Sequence, residues 1–148
     1  MSQILYVDME SVLVDFDSAI EHLDLEILQE YEDRLNEVPG IFALMEPVKD
    51  AIESFKTLTY RFDTYILSTL TCENHAAVGD RLQWIKKYLG EPISERLIIT
   101  HYKNLNIGDY LIDAGTDRGV DRFIGEHIHF GSDRFPNWQS ILKYLLDS

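Results

Sequence analysis

Two carboxylates one residue apart follow an apolar run near the start of the chain. Asp8 comes directly after Val7, and Glu10 follows after Met9. A β-strand ending at Val7 brings Asp8 to its carboxyl end, the edge of an open α/β sheet where ligands bind. Two acids this close repel each other unless a cation or a proton is present. The pair therefore predicts metal binding, or acid–base and nucleophilic chemistry, rather than a contribution to stability.

Four more polar residues come at or shortly after the ends of later apolar runs. They are Ser68, Thr69, Lys103 and Asp113. In a parallel sheet the carboxyl ends of the strands converge, so these side chains are expected to surround one point together with the first acidic pair. Carboxylates, hydroxyls and an amine meet the needs of phosphoryl transfer: oxygen ligands for Mg²⁺, donors for phosphoryl oxygens and a carboxylate nucleophile.

Short apolar segments predict the strands that would position these residues, because strands buried on both faces are apolar throughout. They span residues 3–7, 64–67, 96–99, 110–112 and 128–130. Apolar stripes at helical spacing lie between or after them and predict three helices. The stripes are Val48, Ala51, Ile52, Phe55 and Leu58; Val78, Leu82, Ile85 and Leu89; and Trp138, Ile141, Leu142 and Leu145. This alternation predicts an α/β fold with a mainly parallel sheet flanked by helices.

Turn residues mark the ends of these predicted helices. Pro47 suits the first turn of the first helix, and Gly90 suits the cap after the second. Pro136 and Asn137 open the third. Residues 17–45 interrupt the alternation with helical spacing and a Pro-Gly turn, but without a strand pattern. An insert there would hang over the strand ends as a lid. A helical hairpin packed on the body is the less favoured alternative.

The composition is that of an ordinary globular domain with an excess of acids. The length of 148 residues fits one domain, and 13 Lys and Arg against 26 Asp and Glu give a formal net charge of −13. Such a chain is repelled by nucleic-acid polymers and anionic membranes. A small phosphate ester is compatible with this charge where a divalent cation and local donors reverse the field. The composition therefore allows a small phosphate monoester as partner. We expect a monomer or homodimer.

Three features predict a cytoplasmic protein. Cys72 is the only cysteine in the sequence, so no internal disulfide can form, which fits a reducing compartment. The first residues lack the basic segment and apolar region of a signal peptide. No apolar run approaches the roughly 18 residues that a membrane span requires.

Six segments resemble the haloacid dehalogenase (HAD) superfamily of phosphatases, and within it the small 5'(3')-deoxyribonucleotidases. They read ILYVDMESVLVDF, VPGIFALMEPV, YILST, WIKKYLG, ITHYKNLNIGDYLID and GEHIHFGSDRFPNW. The resemblance runs almost from end to end. It implies a Rossmann-like core over residues 1–148 with a small helical cap at about residues 17–45. It also implies Mg²⁺ as cofactor and nucleoside monophosphates as substrates, with deoxyribonucleotides favoured.

The resemblance also implies a role for each acid. Asp8 would attack the phosphorus and form an aspartyl-phosphate. Glu10 stands where the family has an Asp that protonates the leaving oxygen and later activates water, and its backbone carbonyl would bind Mg²⁺. Asp113 would complete the metal site together with Asp8.

The phosphate-binding roles follow from the same resemblance. Ser68 would donate a hydrogen bond to a phosphoryl oxygen, with help from Thr69. Lys103 would balance the negative charge of the nucleophile and the phosphate.

Several residues depart from the family pattern at the site. They are Glu10 for Asp, Ser11 for Gly, Thr71 and Cys72 for Pro-Trp, Val78 for an aromatic residue, Ala114 for a second Asp and Gly115 for Arg. The longer side chain at position 10 shifts its carboxyl by more than an ångström, and a misplacement of about 1 Å can cost on the order of 10²-fold in rate. Loss of the second Asp removes an outer-shell charge, worth typically about 10–100-fold.

Two interpretations of these departures are open. The favoured one is an active phosphatase, because Asp8, Ser68, Lys103 and Asp113 are all present. The alternative is an impaired or inactive relative that binds a nucleotide or a protein partner in the same cleft. A phospho-acceptor signalling domain ranks well below both, since its acceptor Asp lies on a middle strand.

His127 and His129 alternate on a predicted strand and therefore share one face. They could form part of a metal site, but no third ligand is evident in the sequence. An ordinary, partly buried strand is the favoured interpretation.

Overall fold

In the computed structural model, which describes residues 2–70 and 76–147, five strands of the described chain form one parallel sheet. Its order is β5-β4-β1-β6-β7. The strands are β1 (Ile4–Val7), β4 (Asp63–Ser68), β5 (Leu97–Ile99), β6 (Tyr110–Asp113) and β7 (Glu126–His129). All five were predicted, with ends that differ by no more than two residues.

The register of the sheet brings the functional ends together. β1 lies at the centre, and Val7 is paired with Ile66 of β4 and Ile112 of β6. Asp8, the residue after β1, therefore lies at the same edge as Ser68 at the end of β4 and Asp113 at the end of β6. This is the carboxyl edge that the sequence predicts for the site.

The α-helices are short and are accompanied by 3₁₀ turns. The α-helices are α1 (Leu25–Glu30), α2 (Ala51–Thr59), α3 (Ala77–Tyr88), α4 (Glu91–Ser94) and α5 (Trp138–Leu146). The 3₁₀ turns are Phe16–His22, Leu35–Glu37, Ile41–Leu44, Lys103–Leu105 and Val120–Arg122.

The sheet has a different cover on each face. Leu5 and Val7 of β1 belong to the large apolar cluster that includes buried residues of α2, α3 and α5. Tyr6 points to the opposite face, where Val120 and Phe123 pack on it in a smaller cluster. The central strand is therefore buried on both sides, as its apolar sequence predicts.

Two helix predictions need correction. Pro47 does not open a helix, because it pairs with Val14 in a short antiparallel ladder, and α2 begins only at Ala51. Val78 is 41% exposed, so it does not belong to the buried face of α3. Arg81 and Trp84 occupy that face instead. The polar neighbours of Arg81, described below, allow a charged residue to replace an apolar one.

The other helix ends follow their sequence signals. Gly90 follows α3 with φ +100°, a conformation that side chains with a Cβ rarely adopt. Asn137 caps α5: its Oδ1 accepts the N–H of Ser140, and the Ser140 hydroxyl faces the N–H of Asn137 in return.

Residues 17–45 contain no strand, and the structure describes all of them. The segment consists of 3₁₀ turns and α1. It leaves and rejoins the domain through β2 (Val14–Asp15) and β3 (Glu46–Pro47), which pair antiparallel at its base. This ladder was not predicted from the sequence, because two-residue strands leave no periodic signal. Phe42 and Met45 of the segment are buried in the large cluster.

Across the described residues, none of the helices combines the length and apolar character needed to cross a bilayer.

Candidate active site

Lys103 connects two acids at the carboxyl edge of the sheet. Its Nζ lies 2.9 Å from Asp8 Oδ1 and 2.6 Å from Asp113 Oδ2. The N–H of Asp8 donates to the carbonyl of Ile112 at 2.9 Å, which continues the β1–β6 ladder into the site. Three residues that the sequence placed at separate strand ends are therefore in direct contact.

These contacts set the protonation of the group. Burial is the largest influence and raises the pKa of Asp8 to about 7, with a further increase from Asp113 and an opposing effect from Lys103. Burial alone would lower the pKa of Lys103, but the charges of Asp8 and Asp113 outweigh it and raise that pKa. The ammonium is therefore fixed in its charged form, whereas Asp8 holds a proton readily when no other cation is nearby.

A tight turn carries the chain from Asp8 to Glu10 and beyond. The carbonyl of Met9 accepts the N–H groups of Leu13 and Val14, both at 2.9 Å. Ser11 has φ +67°, a left-handed conformation in which glycine is favoured. Gly, which the resemblance implies at this position, would adopt this conformation without strain, whereas Ser11 adopts it despite its Cβ.

The loop after β6 is held from two sides. Asp113 Oδ1 accepts the N–H of Gly115 at 2.8 Å. His127 Nε2 lies 3.0 Å from the carbonyl oxygen of Asp113, and His129 Nε2 lies 3.0 Å from that of Ala114. Because a carbonyl only accepts, both imidazoles carry a proton on Nε2. The two histidines therefore support the Asp113 loop from β7, a partly buried strand as expected.

The hydroxyls after β4 have different partners. Thr69 Oγ1 donates to the carbonyl of Thr100 at 2.9 Å. Ser68 is buried, and its Oγ accepts a hydrogen bond of 3.1 Å from Arg81 Nε. Since a guanidinium has only donors, the Ser68 hydroxyl hydrogen is left for another acceptor.

Glu10 forms an ion pair with Arg81 of α3 through Oε1 and Nη2. The Glu10 side chain is 49% exposed, whereas that of Arg81 is 4% exposed. Burial lowers the pKa of the Arg81 guanidinium, and Glu10 and Asp8 oppose that effect. The Glu10 carboxyl, at a position where the resemblance implies Asp, thus has the buried Arg81 as its partner.

Two cavities meet at Glu10. The smaller, of about 190 Å³, is lined by Asp8, Glu10, Thr69, Leu70, Lys103, Asp113, Asp117 and Arg118. The larger, of about 700 Å³, is lined by Glu10, Ser11, Asp15, Phe16, Asp17, Glu32, Asp33, Leu35 and Val48. The first contains most of the predicted site residues. The second lies partly against residues 17–45.

Three residues at the site were not predicted from the sequence. They are Arg81, Asp117 and Arg118. A Cβ placed on Gly115 would lie 3.1 Å from Asp117 Oδ1 and 3.6 Å from Asp113 Oδ1, so both carboxylates flank Gly115. The spacing of Asp117, four residues after Asp113, is the one signal that could have indicated it.

Arg118 reaches the cleft from a strained loop. Its carbonyl accepts the N–H of Lys103 at 2.7 Å, and its φ is +56°. Its Nη1 lies 3.2 Å from His101 Nδ1. Thr71 and Cys72, which depart from the family pattern in the sequence, lie outside the described residues.

The donor chemistry of the cleft fits Mg²⁺. Within residues 2–70 and 76–147, no three His, Cys, Asp or Glu side chains form a metal-binding cluster. Mg²⁺, however, is usually held by one or two carboxylates together with water and substrate phosphate. Asp8 and Asp113, brought together on one ammonium, supply such a pair.

A family model described as "5' nucleotidase, deoxy (Pyrimidine), cytosolic type C protein" matches residues 24–141. The chain belongs to this family. A relative from Vibrio phage KVP40, provisionally named a 5'(3')-deoxyribonucleotidase, is 49% identical to this chain over 142 residues. The match covers 96% of this chain and 84% of the relative. The human cytosolic-type 5'(3')-deoxyribonucleotidase is 27% identical over 165 residues, covering 92% and 77%.

Solved structures place the 5' nucleotidase chain in the same fold as HAD hydrolases. A magnesium-bound protein of Bacillus subtilis, provisionally assigned as a HAD hydrolase, superposes with a TM-score of 0.70 at 10% identity, covering 99% of both chains. A haloacid dehalogenase-like hydrolase of Xanthomonas campestris gives a TM-score of 0.57 at 10% identity, covering 99% of this chain and 91% of that one. These likenesses confirm the predicted Rossmann-like α/β architecture.

Proposed function

We propose that this protein is a Mg²⁺-dependent phosphomonoesterase that hydrolyses deoxyribonucleoside monophosphates through an aspartyl-phosphate on Asp8. The observation that carries the proposal is the contact of Lys103 with both Asp8 and Asp113 at the carboxyl edge of the sheet. The family to which the chain belongs, and the names of its relatives, support the substrate class.

The reaction proceeds in two steps. A carboxylate oxygen of Asp8 attacks the phosphorus and the bond to the ester oxygen breaks. Glu10 enters this step as the carboxylic acid, gives its proton to the departing alcohol and becomes the carboxylate that pairs with Arg81. Glu10 then takes a proton from a water molecule that attacks the phosphorus of the aspartyl-phosphate. The products are inorganic phosphate and the free carboxylate of Asp8, so both groups return to their starting states.

The chain's own groups hold the phosphate in this scheme. Lys103 neutralises the phosphoryl oxygens and the nucleophile, while the free hydrogen of the Ser68 hydroxyl donates to a phosphoryl oxygen. Thr69, whose hydroxyl is bound to Thr100, contributes through its backbone. Arg118 adds a second positive charge to the cleft lining.

Asp8 and Asp113, with the backbone carbonyl of Glu10, would hold Mg²⁺, and Asp117 would orient its water ligands. When bound, the ion supplies positive charge that keeps Asp8 ionised and offsets the charge of the phosphate. Asp117 thereby takes the place of the second acid that is absent at Ala114.

The nucleoside part of the substrate occupies the 700 Å³ cavity. Phe16, Leu35 and Val48 offer apolar surface to a base, and carboxylates accept hydrogen bonds from hydroxyl and amino groups. Residues 17–45 contribute Asp17, Glu32, Asp33 and Leu35 to this lining, which supports our proposal that the segment is a small cap over the site.

A non-catalytic relative that only binds a nucleotide or a protein partner is the second candidate. The observation in its favour is that Glu10, the proposed acid, is engaged by Arg81. The two candidates differ in turnover alone, since both use the same cleft.

Phosphate release distinguishes them. The purified protein with Mg²⁺ is expected to release phosphate from a panel of deoxynucleoside monophosphates, and Asp8→Asn is expected to abolish release. Asp109→Asn is the matched control, because Asp109 accepts the N–H of Ile4 at 2.7 Å at the opposite end of the sheet. Absence of turnover with every phosphate ester tested would refute the phosphatase and leave the binding protein.

A further inference from the structure

Arg81 is a buried cation at the boundary between the site and residues 17–45. It is 3% exposed and lies on α3. Its Cζ lies 4.7 Å from the ring centroid of Phe42, which belongs to residues 17–45. An arginine this deeply buried is rare unless its donors are satisfied, so each of its contacts is informative.

Four donor contacts of Arg81 fall on the described residues. Nε donates to Ser68 Oγ at 3.1 Å, Nη1 to the carbonyl of Ala77 at 3.2 Å and Nη2 to the carbonyl of Thr69 at 3.1 Å. The remaining contact joins Nη2 to Glu10. Three of the four partners belong to β4, to the residue after it or to the helix of Arg81 itself. The guanidinium is therefore anchored on the body of the domain, and Glu10 is the partner that depends on it.

Glu10 needs such a partner more than a shorter acid would. Its side chain has one more rotatable bond than Asp and is half-exposed. Held by an anchored guanidinium, its carboxyl keeps one position at the junction of the two cavities. A planar, forked cation suits this task better than a flexible ammonium.

We propose that Arg81 is a positioning residue that holds the Glu10 carboxyl at the leaving-group side of the cleft. Glu10 and Arg81 thus form one functional unit in place of the single Asp of the family pattern. This inference rests on the proposed function, because it assigns a partner to the proton donor of that reaction.

The dependence of the rate on the leaving group tests this role. A nucleoside leaves as an alkoxide that needs a proton, whereas p-nitrophenolate leaves readily without one. In Arg81→Met, kcat/KM for a deoxynucleoside monophosphate is expected to fall about 10²-fold, within the usual size of general acid catalysis. For p-nitrophenyl phosphate, kcat/KM should fall much less, because this substrate is affected by the lost Arg81–Ser68 contact but not by the lost position of Glu10. We compare kcat/KM because it reports the steps up to departure of the leaving group and does not depend on the later hydrolysis of the phospho-enzyme.

Matched variants separate positioning from a structural role. Arg96→Met removes a similar arginine, paired with Asp63 at 2.6 Å and stacked 4.8 Å over Tyr65 at the far end of the sheet, and should leave both substrates unaffected. Arg81→Lys should recover part of the nucleotide activity. In a Glu10→Gln background, Arg81→Met should cause no loss beyond the small one measured with p-nitrophenyl phosphate, because Glu10 and Arg81 act as a unit. Thermal unfolding checks that each variant is folded. If Arg81→Met is not folded, Arg81→Lys replaces it in the comparison of the two substrates.

Equal losses on the two substrates in a folded variant, or additive losses in the double mutant, would overturn the positioning role. A wild-type protein that turns over neither substrate would overturn the proposed function itself, which is a different and recognisable result.

Discussion

Lys103 Nζ lies 2.9 Å from Asp8 Oδ1 although Lys103 is buried to all but 3% of its surface. A buried ammonium requires carboxylate partners, and Asp113 supplies the second at 2.6 Å. The buried ammonium is stabilised by both carboxylates, and it offsets the repulsion between them.

Removal of the cation is therefore expected to damage both folding and activity. In Lys103→Met, two buried carboxylates are left facing each other, and breaking a buried pair typically costs about 3–5 kcal/mol. Denaturant unfolding near pH 8 should show this loss in EDTA and a partial recovery in Mg²⁺. An unchanged free energy of unfolding would mean that the ammonium does not balance these acids.

The raised pKa of Asp8, about 7, makes the stability of the metal-free protein depend on pH. In the unfolded chain Asp titrates near 3.9, so between about pH 4 and pH 7 the folded protein binds more protons than the unfolded one. The contribution of Asp8 to the free energy of unfolding is therefore full below about pH 4 and is lost as pH rises through about 7.

Asp8→Asn should remove this dependence. In EDTA, the difference in unfolding free energy between Asp8→Asn and wild type is expected to shift in favour of the variant from about pH 5 to about pH 8. Mg²⁺ should reduce the difference, because it favours the ionised carboxylate of the wild type. A difference that is constant with pH would show that Asp8 titrates normally.

Asp117 should matter for the metal rather than for the fold. Asp117→Asn is expected to raise the Mg²⁺ concentration needed for half-maximal activity by about 10–100-fold, the usual cost of losing a side chain that orients the ligands of a metal. Asp121→Asn is the control, since Asp121 lies close by in the 3₁₀ turn Val120–Arg122 and outside the cleft lining. Mg²⁺ titrations of activity that coincide for both variants would exclude Asp117 from the metal site.

Much of this site was predictable from the sequence because its residues follow buried strands. Asp8, Ser68 and Asp113 each end or follow an apolar run, and the parallel register carries them to one edge. Arg81 was not predictable in this way, because a charged residue in a helix is expected on the solvent face. Its burial depends on acceptors from Glu10, Ser68 and Thr69, which only the tertiary fold brings together.

Asp117 was missed for a related reason. It lies within the loop after β6 rather than at the end of a strand. That loop is held at the site through the hydrogen bond from the Lys103 N–H to the Arg118 carbonyl. The ladder of Val14 with Pro47 is too short to give a pattern, so the base of residues 17–45 was also invisible in the sequence.

The charge of the larger cavity predicts selectivity for monophosphates. Its lining includes five carboxylates and no Lys, Arg or His among the described residues: Glu10, Asp15, Asp17, Glu32 and Asp33. Such a wall repels a second phosphate, so nucleoside diphosphates should have a much lower kcat/KM than monophosphates. The double variant Glu32→Gln, Asp33→Asn should raise the relative rate for diphosphates, and so should added salt. Equal rates for both substrates in the wild type would contradict this role of the acids.

The identity of the nucleophile is the central claim, and trapping the intermediate tests it most directly. The protein is mixed with Mg²⁺ and a deoxynucleoside monophosphate, quenched in acid within one turnover, digested, and analysed by mass spectrometry. We predict one phosphoryl group on the peptide that contains Asp8, absent from Asp8→Asn and present in Asp109→Asn. Phosphate release by wild type with no phosphoryl group on that peptide, or release that persists in Asp8→Asn, would contradict the account.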